Sequence, residues 1–297
     1  MDGLILTDKP GGWTSHDAVS FLRRLLKEKR AGHTGTLDPS ATGLLLVLLG
    51  RATRLAQFYG GDKKEYIAVV KLGCETDTLD AEGRTVREMP VPALDGGAVE
   101  VVLSRFSGEI QQVPPSYSAI KIDGRPLYRQ ARKGLHVQAP PRRVVIYAIE
   151  LLSISGAEFT IRVVCSGGTY IRSLARDISE ALGTCGHLSG LRRTATGTYR
   201  VEDAVSLEPK PSAEEAGGKI IPMDMLLPGI PAARLTSLGA EDVRHGRPPA
   251  RADFISIPEC INDIPVRLTD ESGSLLGIGM SAGEGAAKPY LPKVVLG

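Results

Sequence analysis

The stretch Gly32-His33-Thr34-Gly35-Thr36-Leu37-Asp38-Pro39-Ser40-Ala41-Thr42-Gly43 is a polar loop that runs straight into the apolar segment Gly43 to Leu49. Any fold of this chain must therefore hold polar loop residues against buried structure. The glycines permit backbone angles closed to other residues, and Pro39 stiffens the backbone beside Asp38, giving that carboxylate a defined position. An aspartate so placed either caps and shapes the turn or carries chemistry, and loop composition leaves both readings open. The loop is not a phosphate-binding P-loop, because no Gly-Lys-[Ser/Thr] follows it.

Around this loop the apolar spacing predicts alternating local structures. Gly3 to Thr7 reads as a short strand, and Lys9-Pro10-Gly11-Gly12 reads as a turn. Ser15 is the expected N-cap of a helix in which Ala18, Phe21, Leu22, Leu25 and Leu26 form one buried face and Arg23, Arg24, Lys27 and Lys29 point outward. Ala31 to Thr42 is expected to be loop throughout. Tyr66 to Leu72, Val144 to Leu152 and Phe159 to Cys165 read as strands, and Tyr170 to Leu182 as a helix. Without a regular βαβ rhythm these elements predict an α+β core rather than a doubly wound sheet.

A chain of 297 residues exceeds the usual single domain, and Glu208 to Lys219 has the Pro, Ser, Glu and Gly of a linker. The expected organisation is a core over 1–210, a linker over 211–229 and a small β-rich unit over 230–297, with one short helix near Leu238 to His245.

Charge divides the chain in a related way. Residues 1–200 carry 27 Lys and Arg against 20 Asp and Glu, a net +7, while the rest carry 9 against 14, a net −5. Lys121 to Arg143 holds seven basic residues and only Asp123, and Arg23 to His33 holds five and only Glu28. Such stripes suit a phosphate backbone, and equally a solvated face.

No run approaches the roughly 20 apolar residues of a membrane span, and the first residues lack a basic leader, so a cytoplasmic protein is expected. Cys74, Cys165, Cys185 and Cys260 form no Cys-x-x-Cys pair, which argues against zinc and for reduced thiols. Asp77, Asp80 and Glu82 read as a hydrated turn rather than a metal site. Gly277-Ile278-Gly279 is an isolated fragment of a dinucleotide fingerprint, and neither His-Glu-x-x-His nor Gly-x-Ser-x-Gly occurs.

The loop around Asp38 resembles the signature of the tRNA pseudouridine-55 synthases, and other segments resemble that family's motifs in the same order. They are Lys9-Pro10-Gly11-Gly12-Trp13-Thr14-Ser15, Lys64-Glu65-Tyr66, Gly73-Cys74-Glu75-Thr76-Asp77-Thr78-Leu79-Asp80 and Pro114-Pro115-Ser116-Tyr117-Ser118-Ala119-Ile120-Lys121. Cys165-Ser166-Gly167-Gly168-Thr169-Tyr170-Ile171-Arg172-Ser173-Leu174 and Leu191-Arg192-Arg193-Thr194 follow, and Leu235 to Val294 is similar to the appended PUA module. Leu46 departs from the family, which often has proline there.

The resemblance implies a mixed, mainly antiparallel catalytic sheet with a PUA-like C-terminal domain. It implies isomerisation of a uridine in the tRNA T loop, with Asp38, Tyr66 and Arg172 as catalytic residues. His33, Lys9, Tyr170, Lys64, Lys121 and Leu191 would contact substrate or RNA. Breaking the bond from C1′ to N1 and rejoining C1′ to C5 involves no net redox change or hydrolysis, so no cofactor and no metal is expected. Asp38 supplies a carboxylate, Arg172 would keep it ionised, and Tyr66 offers a ring to stack on an extruded base. His33 would fill the space that the base vacates. The partner expected is the tRNA T stem-loop, bound by a monomer without an obligate protein partner or membrane. The rival reading is a non-catalytic RNA-binding or tRNA-folding protein.

Overall fold

The computed structural model describes residues 1–118, 120–122, 124–127, 130, 139–258, 264–283 and 286–296, with only the backbone of 121, 122, 125 and 126. The side chain of Lys121, most of the basic stretch that follows it and Cys260 therefore lie outside the described residues.

The first two thirds of the chain builds a mixed sheet of 11 strands. Its principal members are β1 (Gly3–Lys9), β2 (Ala31–Thr34), β3 (Thr42–Leu49), β4 (Lys64–Leu72), β5 (Gly108–Gln112), β6 (Arg142–Ser155), β7 (Glu158–Cys165), β8 (Gly186–Thr196) and β9 (Val205–Ser206). They lie in the order β9-β1-β3-β8-β4-β7-β6-β5, with β2 on β3. The pairings β1 with β9 and β3 with β8 are parallel, and the other pairings along this order are antiparallel. This is the α+β, mainly antiparallel sheet expected.

Strand β3 explains the strength of the central sheet. Its side chains alternate between two apolar layers: Leu45, Val47 and Leu49 join one core, and Leu44, Leu46 and Leu48 the other. All six are fully buried, so the unbroken apolar run is that of a strand covered on both faces. Leu46, where the family often has proline, pairs with Leu6 inside this sheet.

Helices α1 (Ser15–Leu25) and α3 (Ile171–Ala181) pack on the first of these layers, and α2 (Gly96–Ser104) contributes Val99, Val102 and Leu103 to it. The N-cap of α1 is Thr14, not Ser15: Thr14 accepts from the Asp17 backbone N–H, and Asp17 accepts in return from that of Thr14, a capping box. Ser15 is freed to hold the loop that carries Asp38. Part of Ala31 to Thr42 is likewise not loop, since β2 pairs with β3.

The last part of the chain folds into a second sheet with the strand order β11-β10-β12-β13-β14, composed of β10 (Ala232–Leu235), β11 (Phe254–Ser256), β12 (Pro265–Thr269), β13 (Leu275–Ser281) and β14 (Tyr290–Val295). The short helix expected near Leu238 spans Ser237–Arg244. Leu275, Ile278, Val294 and Leu296 of this unit pack with Leu44, Leu46 and Leu48 of β3. The segment expected as a linker is not a free tether: Ala213–Gly218 is helical, Ile221–Pro222 pairs with β1, and Leu226 and Leu227 are buried. Among the described residues, no helix is long and apolar enough to cross a membrane.

Candidate active site

The Asp38 loop leaves β2 and enters β3, and it is fastened at nearly every step. Ser15 Oγ accepts from the Leu37 backbone N–H at 2.8 Å and donates to the Leu37 carbonyl at 3.0 Å. Gly12 N–H donates to the Pro39 carbonyl at 2.9 Å, and Ala41 N–H closes a turn on the Asp38 carbonyl at 3.1 Å. Leu37 is buried, so Asp38 stands on an anchored residue. Where the loop joins β3, Gly43 has φ +101° and a Cβ there would lie 2.2 Å from the Arg193 carbonyl oxygen, so only glycine fits.

Opposite the loop, the first turn of α3 supplies Arg172. Its Nη2 donates to Asp38 Oδ1 at 3.2 Å and its Nε lies 2.9 Å from Asp38 Oδ2, an ion pair closed by one hydrogen bond. The same guanidinium donates to the carbonyls of Thr78 at 3.0 Å and Tyr117 at 3.1 Å, and lies 3.4 Å from Asp80 Oδ2. Arg172 is buried, whereas the Asp38 side chain keeps 37% of its surface open. The cation is thus committed to its partners while the carboxylate faces the cavity. Burial pushes the Asp38 carboxyl above the ordinary carboxylate range, the charge of Arg172 opposes that rise, and Asp80 adds to it.

Sheet register brings up the remaining wall. Lys64 and Tyr66 are two apart on β4 and so share a face, and Tyr66 pairs across to Arg193 on β8. Leu191, two residues earlier, faces the same space. With Asp38, Tyr170 and Arg172 these residues line a cavity of about 610 Å³, enough to enclose a nucleobase. Tyr66 is buried and its phenol is raised by burial, an effect that the neighbouring Arg193 counters. Lys64 is lowered by burial and by Arg193. At the rim the Arg142 guanidinium lies 4.5 Å from the Tyr170 ring centroid.

Six of the expected residues, Asp38, Tyr66, Arg172, Tyr170, Lys64 and Leu191, thus converge on one cavity. Lys9 and His33 are not on its wall. Lys9 lies fully buried beneath the loop, where its ammonium donates to the carbonyls of Pro10 at 2.8 Å, Trp13 at 2.6 Å and Pro39 at 3.2 Å. Burial lowers it to about 8. His33 sits on β2, half-buried and lowered by burial, with its Nδ1 unpartnered among the described residues. The side chain of Lys121 lies outside the described residues.

Arg193, Arg142 and Asp80 are among the wall residues that went unpredicted from the sequence. The segment holding Asp77, Asp80 and Glu82 is the turn expected, with Asp77 and Glu82 exposed, but Asp80 is not hydrated. Asp80 is buried, accepts from Thr78 Oγ1 at 2.6 Å and from the Glu82 N–H at 3.1 Å, and pairs with Arg172, while the Asp77 carboxylate accepts from the Arg84 N–H at 2.9 Å. Among the described residues, no group of three His, Cys, Asp or Glu side chains is placed to hold a metal ion.

Residues 23–171 match the N-terminal domain of TruB family pseudouridylate synthases, and residues 172–210 match the tRNA pseudouridylate synthase B C-terminal domain. The tRNA pseudouridine synthase B of Azoarcus sp. strain BH72 is 48% identical over 83% of this chain and 83% of its own. That of Cupriavidus metallidurans is 46% identical over 97% of this chain and 93% of its own. Among solved structures, a Cbf5-Nop10-Gar1 complex aligns with a TM-score of 0.78 at 28% identity, covering 99% of this chain and 85% of the other. An H/ACA RNP bound to a substrate RNA containing 2′-deoxyuridine aligns at 0.74 and 26%, covering 99% and 85%.

Proposed function

The chain belongs to the TruB family of pseudouridylate synthases, and from that premise we propose that it converts uridine 55 in the T loop of tRNA to pseudouridine, using Asp38. The activity is that of a tRNA pseudouridine synthase, an isomerase. The observation that carries the residue assignment is the Asp38–Arg172 pair. A carboxylate clamped by a buried guanidinium opens onto a cavity of nucleobase size, beside the Tyr66 phenol.

The chemistry follows from that arrangement. A uridine stacked in the T loop is out of reach of a carboxylate set inside a cavity, so the nucleotide flips out to meet it. Tyr66 and Leu191 contact the base, Tyr170 and Arg142 flank the entrance, and His33 fills the vacated stack. Arg172 keeps Asp38 ionised against its burial, so the carboxylate acts as nucleophile or base when the C1′–N1 bond breaks. Lys9 holds the loop that presents Asp38. The atoms on the two sides of the reaction are the same, so the isomerisation consumes no cofactor.

Residues 1–210 form the catalytic unit in this reading, and 230–297 an RNA-binding unit of PUA type. The basic stretch through Lys121 tracks the RNA backbone, and the protein works as a cytoplasmic monomer without an obligate protein partner.

The test is a T stem-loop transcript incubated with purified protein in the absence of added metal or cofactor. The expected outcome is pseudouridine at position 55, lost by about a thousandfold or more in Asp38→Asn with RNA binding retained. Conversion undiminished in Asp38→Asn would overturn the assignment. RNA affinity should also fall steeply with salt, and affinity indifferent to salt would contradict the basic face.

A further inference from the structure

Among the buried Lys and Arg side chains of the described residues, Arg172 alone is ion-paired; Lys9, Lys64 and Arg193 are not, and of these three Lys64 and Arg193 line the cavity. Arg172 has two carboxylates, and the more exposed Arg192 and Arg162 have Asp8 and Glu65. Arg193 is only 1% exposed, yet among the described residues it makes no ion pair. Its Nε donates to the Leu44 carbonyl at 2.7 Å and its Nη2 to the Gly35 carbonyl at 3.0 Å, and the Tyr66 hydroxyl lies beside it. Lys64, buried on the same wall, also lacks an ion pair among the described residues and donates to the Asp62 carbonyl at 3.1 Å. Two cations are thus buried on one wall of the cavity that holds Asp38, where burial and then the charge of Arg193 lower Lys64.

Burying unpaired charge is costly, and two adjacent like charges are more so. The arrangement makes chemical sense if the anion arrives with the reaction. We propose that Arg193, with Lys64 beside it, is a catalytic group that takes up the negative charge of the uracil ring when its bond to the ribose breaks. This inference rests on the pseudouridine synthase reading of the site.

The electron count defines the need. The C1′–N1 bond breaks with its electron pair remaining on the base, which becomes an anion delocalised over N1 and the ring carbonyl oxygens, while C1′ becomes electron-deficient. After the ring turns, C5 supplies the pair for the new bond to C1′, the C5 proton departs and N1 takes one up. Between the two bond changes the base carries a charge that it has in neither substrate nor product. Fixed cations on a desolvated wall stabilise that state selectively, as donors do in an oxyanion hole. A backbone phosphate is the other anion in the substrate, but the buried floor beside Tyr66 suits the inserted base. The phosphodiester remains with the chain at the rim, where Arg142 stands.

The experiment compares T stem-loops carrying uridine or 5-fluorouridine at the target position, in single turnovers at saturating protein, with consumption of the starting nucleoside as the readout. Fluorine stabilises the base anion, so it relieves the need for a protein cation. In Arg193→Met the uridine rate should fall by about a hundredfold or more with RNA affinity within twofold of wild type. The penalty with 5-fluorouridine should be at least severalfold smaller. Arg193→Lys, which keeps the charge, should recover most of the rate and behave like wild type toward fluorine. Equal penalties on the two substrates would show a structural role and overturn the proposal. Should Arg193→Met fail to fold, Lys64→Met carries the same comparison, with a smaller penalty and the same relief by fluorine. Wild-type protein that leaves the uridine substrate untouched would instead defeat the functional reading on which the inference rests.

Discussion

The C-terminal sheet and the cavity end of the large sheet are both built from paired strands, yet they treat charge in opposite ways. In the C-terminal unit, Ala233, Leu235, Ala240, Val243, Val266, Leu268, Leu276 and Tyr290 make the core, while Arg244 with Asp270 and Arg247 with Asp242 stay at the surface. At the cavity end Lys9, Lys64, Arg172, Arg193 and Asp80 are buried. The first region shows what folding alone requires. The second carries desolvated charge that folding does not need, and the doubly covered β3 and its two apolar layers offset that cost. The contrast locates function: charge is buried where the reaction uses it.

Beyond Asp38 and Arg193 themselves, the largest change should come from substituting the cation that serves two carboxylates. Arg172→Lys keeps a charge but cannot pair with Asp38 while also reaching Asp80 and two carbonyls, so turnover should fall by about a hundredfold. Arg172 opposes the burial that raises Asp38, so weakening it raises the carboxyl further. As pH falls, activity should then be lost at a higher pH than in wild type. A pH–rate profile checks this, and an unmoved acid limb would break the contrast.

Asp80→Asn should have the opposite signature at smaller size. Asp80 raises Asp38 by like charge, so its neutralisation lowers the Asp38 carboxyl and moves the acid limb to lower pH. Turnover should drop by about tenfold because Arg172 loses a buried partner. Asp80 is a positioning residue, and a uniform loss with no shift of the limb would deny it that role.

Lys9→Met sharpens the comparison through stability. The folded ammonium titrates near 8, below the 10.5 of an ordinary lysine. Between those values the unfolded chain binds the proton that the folded chain has released, so wild-type stability gains from this group as pH rises through the window. The gain is at most about 3 kcal/mol. Denaturant melts at pH 7 and 10 should show it in wild type relative to Lys9→Met, and parallel pH dependence of the two proteins would contradict it.

The smallest effect belongs to the C-terminal surface. Arg247→Ala removes an exposed pair with Asp242 and should change unfolding stability by no more than about 0.5 kcal/mol. A larger loss would mean that this unit also relies on charge.

What could be read from the sequence follows the same division. The strands and helices came from periodicity, and Asp38, Tyr66 and Arg172 from motifs with defined spacing. Arg193 was missed because Leu191-Arg192-Arg193 shows two identical residue types, and only strand register decides which is inside. Arg192 turns out to Asp8, while Arg193 turns in beside Tyr66. Asp80 looked like part of a solvated acidic turn. Its burial depends on the long-range bridge of its backbone to Leu188, which local composition does not encode. The linker composition misled for a related reason: the Pro- and Gly-rich segment is fixed by pairing with β1, the first strand of the chain.

The most direct test is a map of pseudouridine in tRNA from cells whose only copy of this protein carries Asp38→Asn. Position 55 should read as unmodified uridine while the other pseudouridines persist. Undiminished pseudouridine at position 55 would contradict the account.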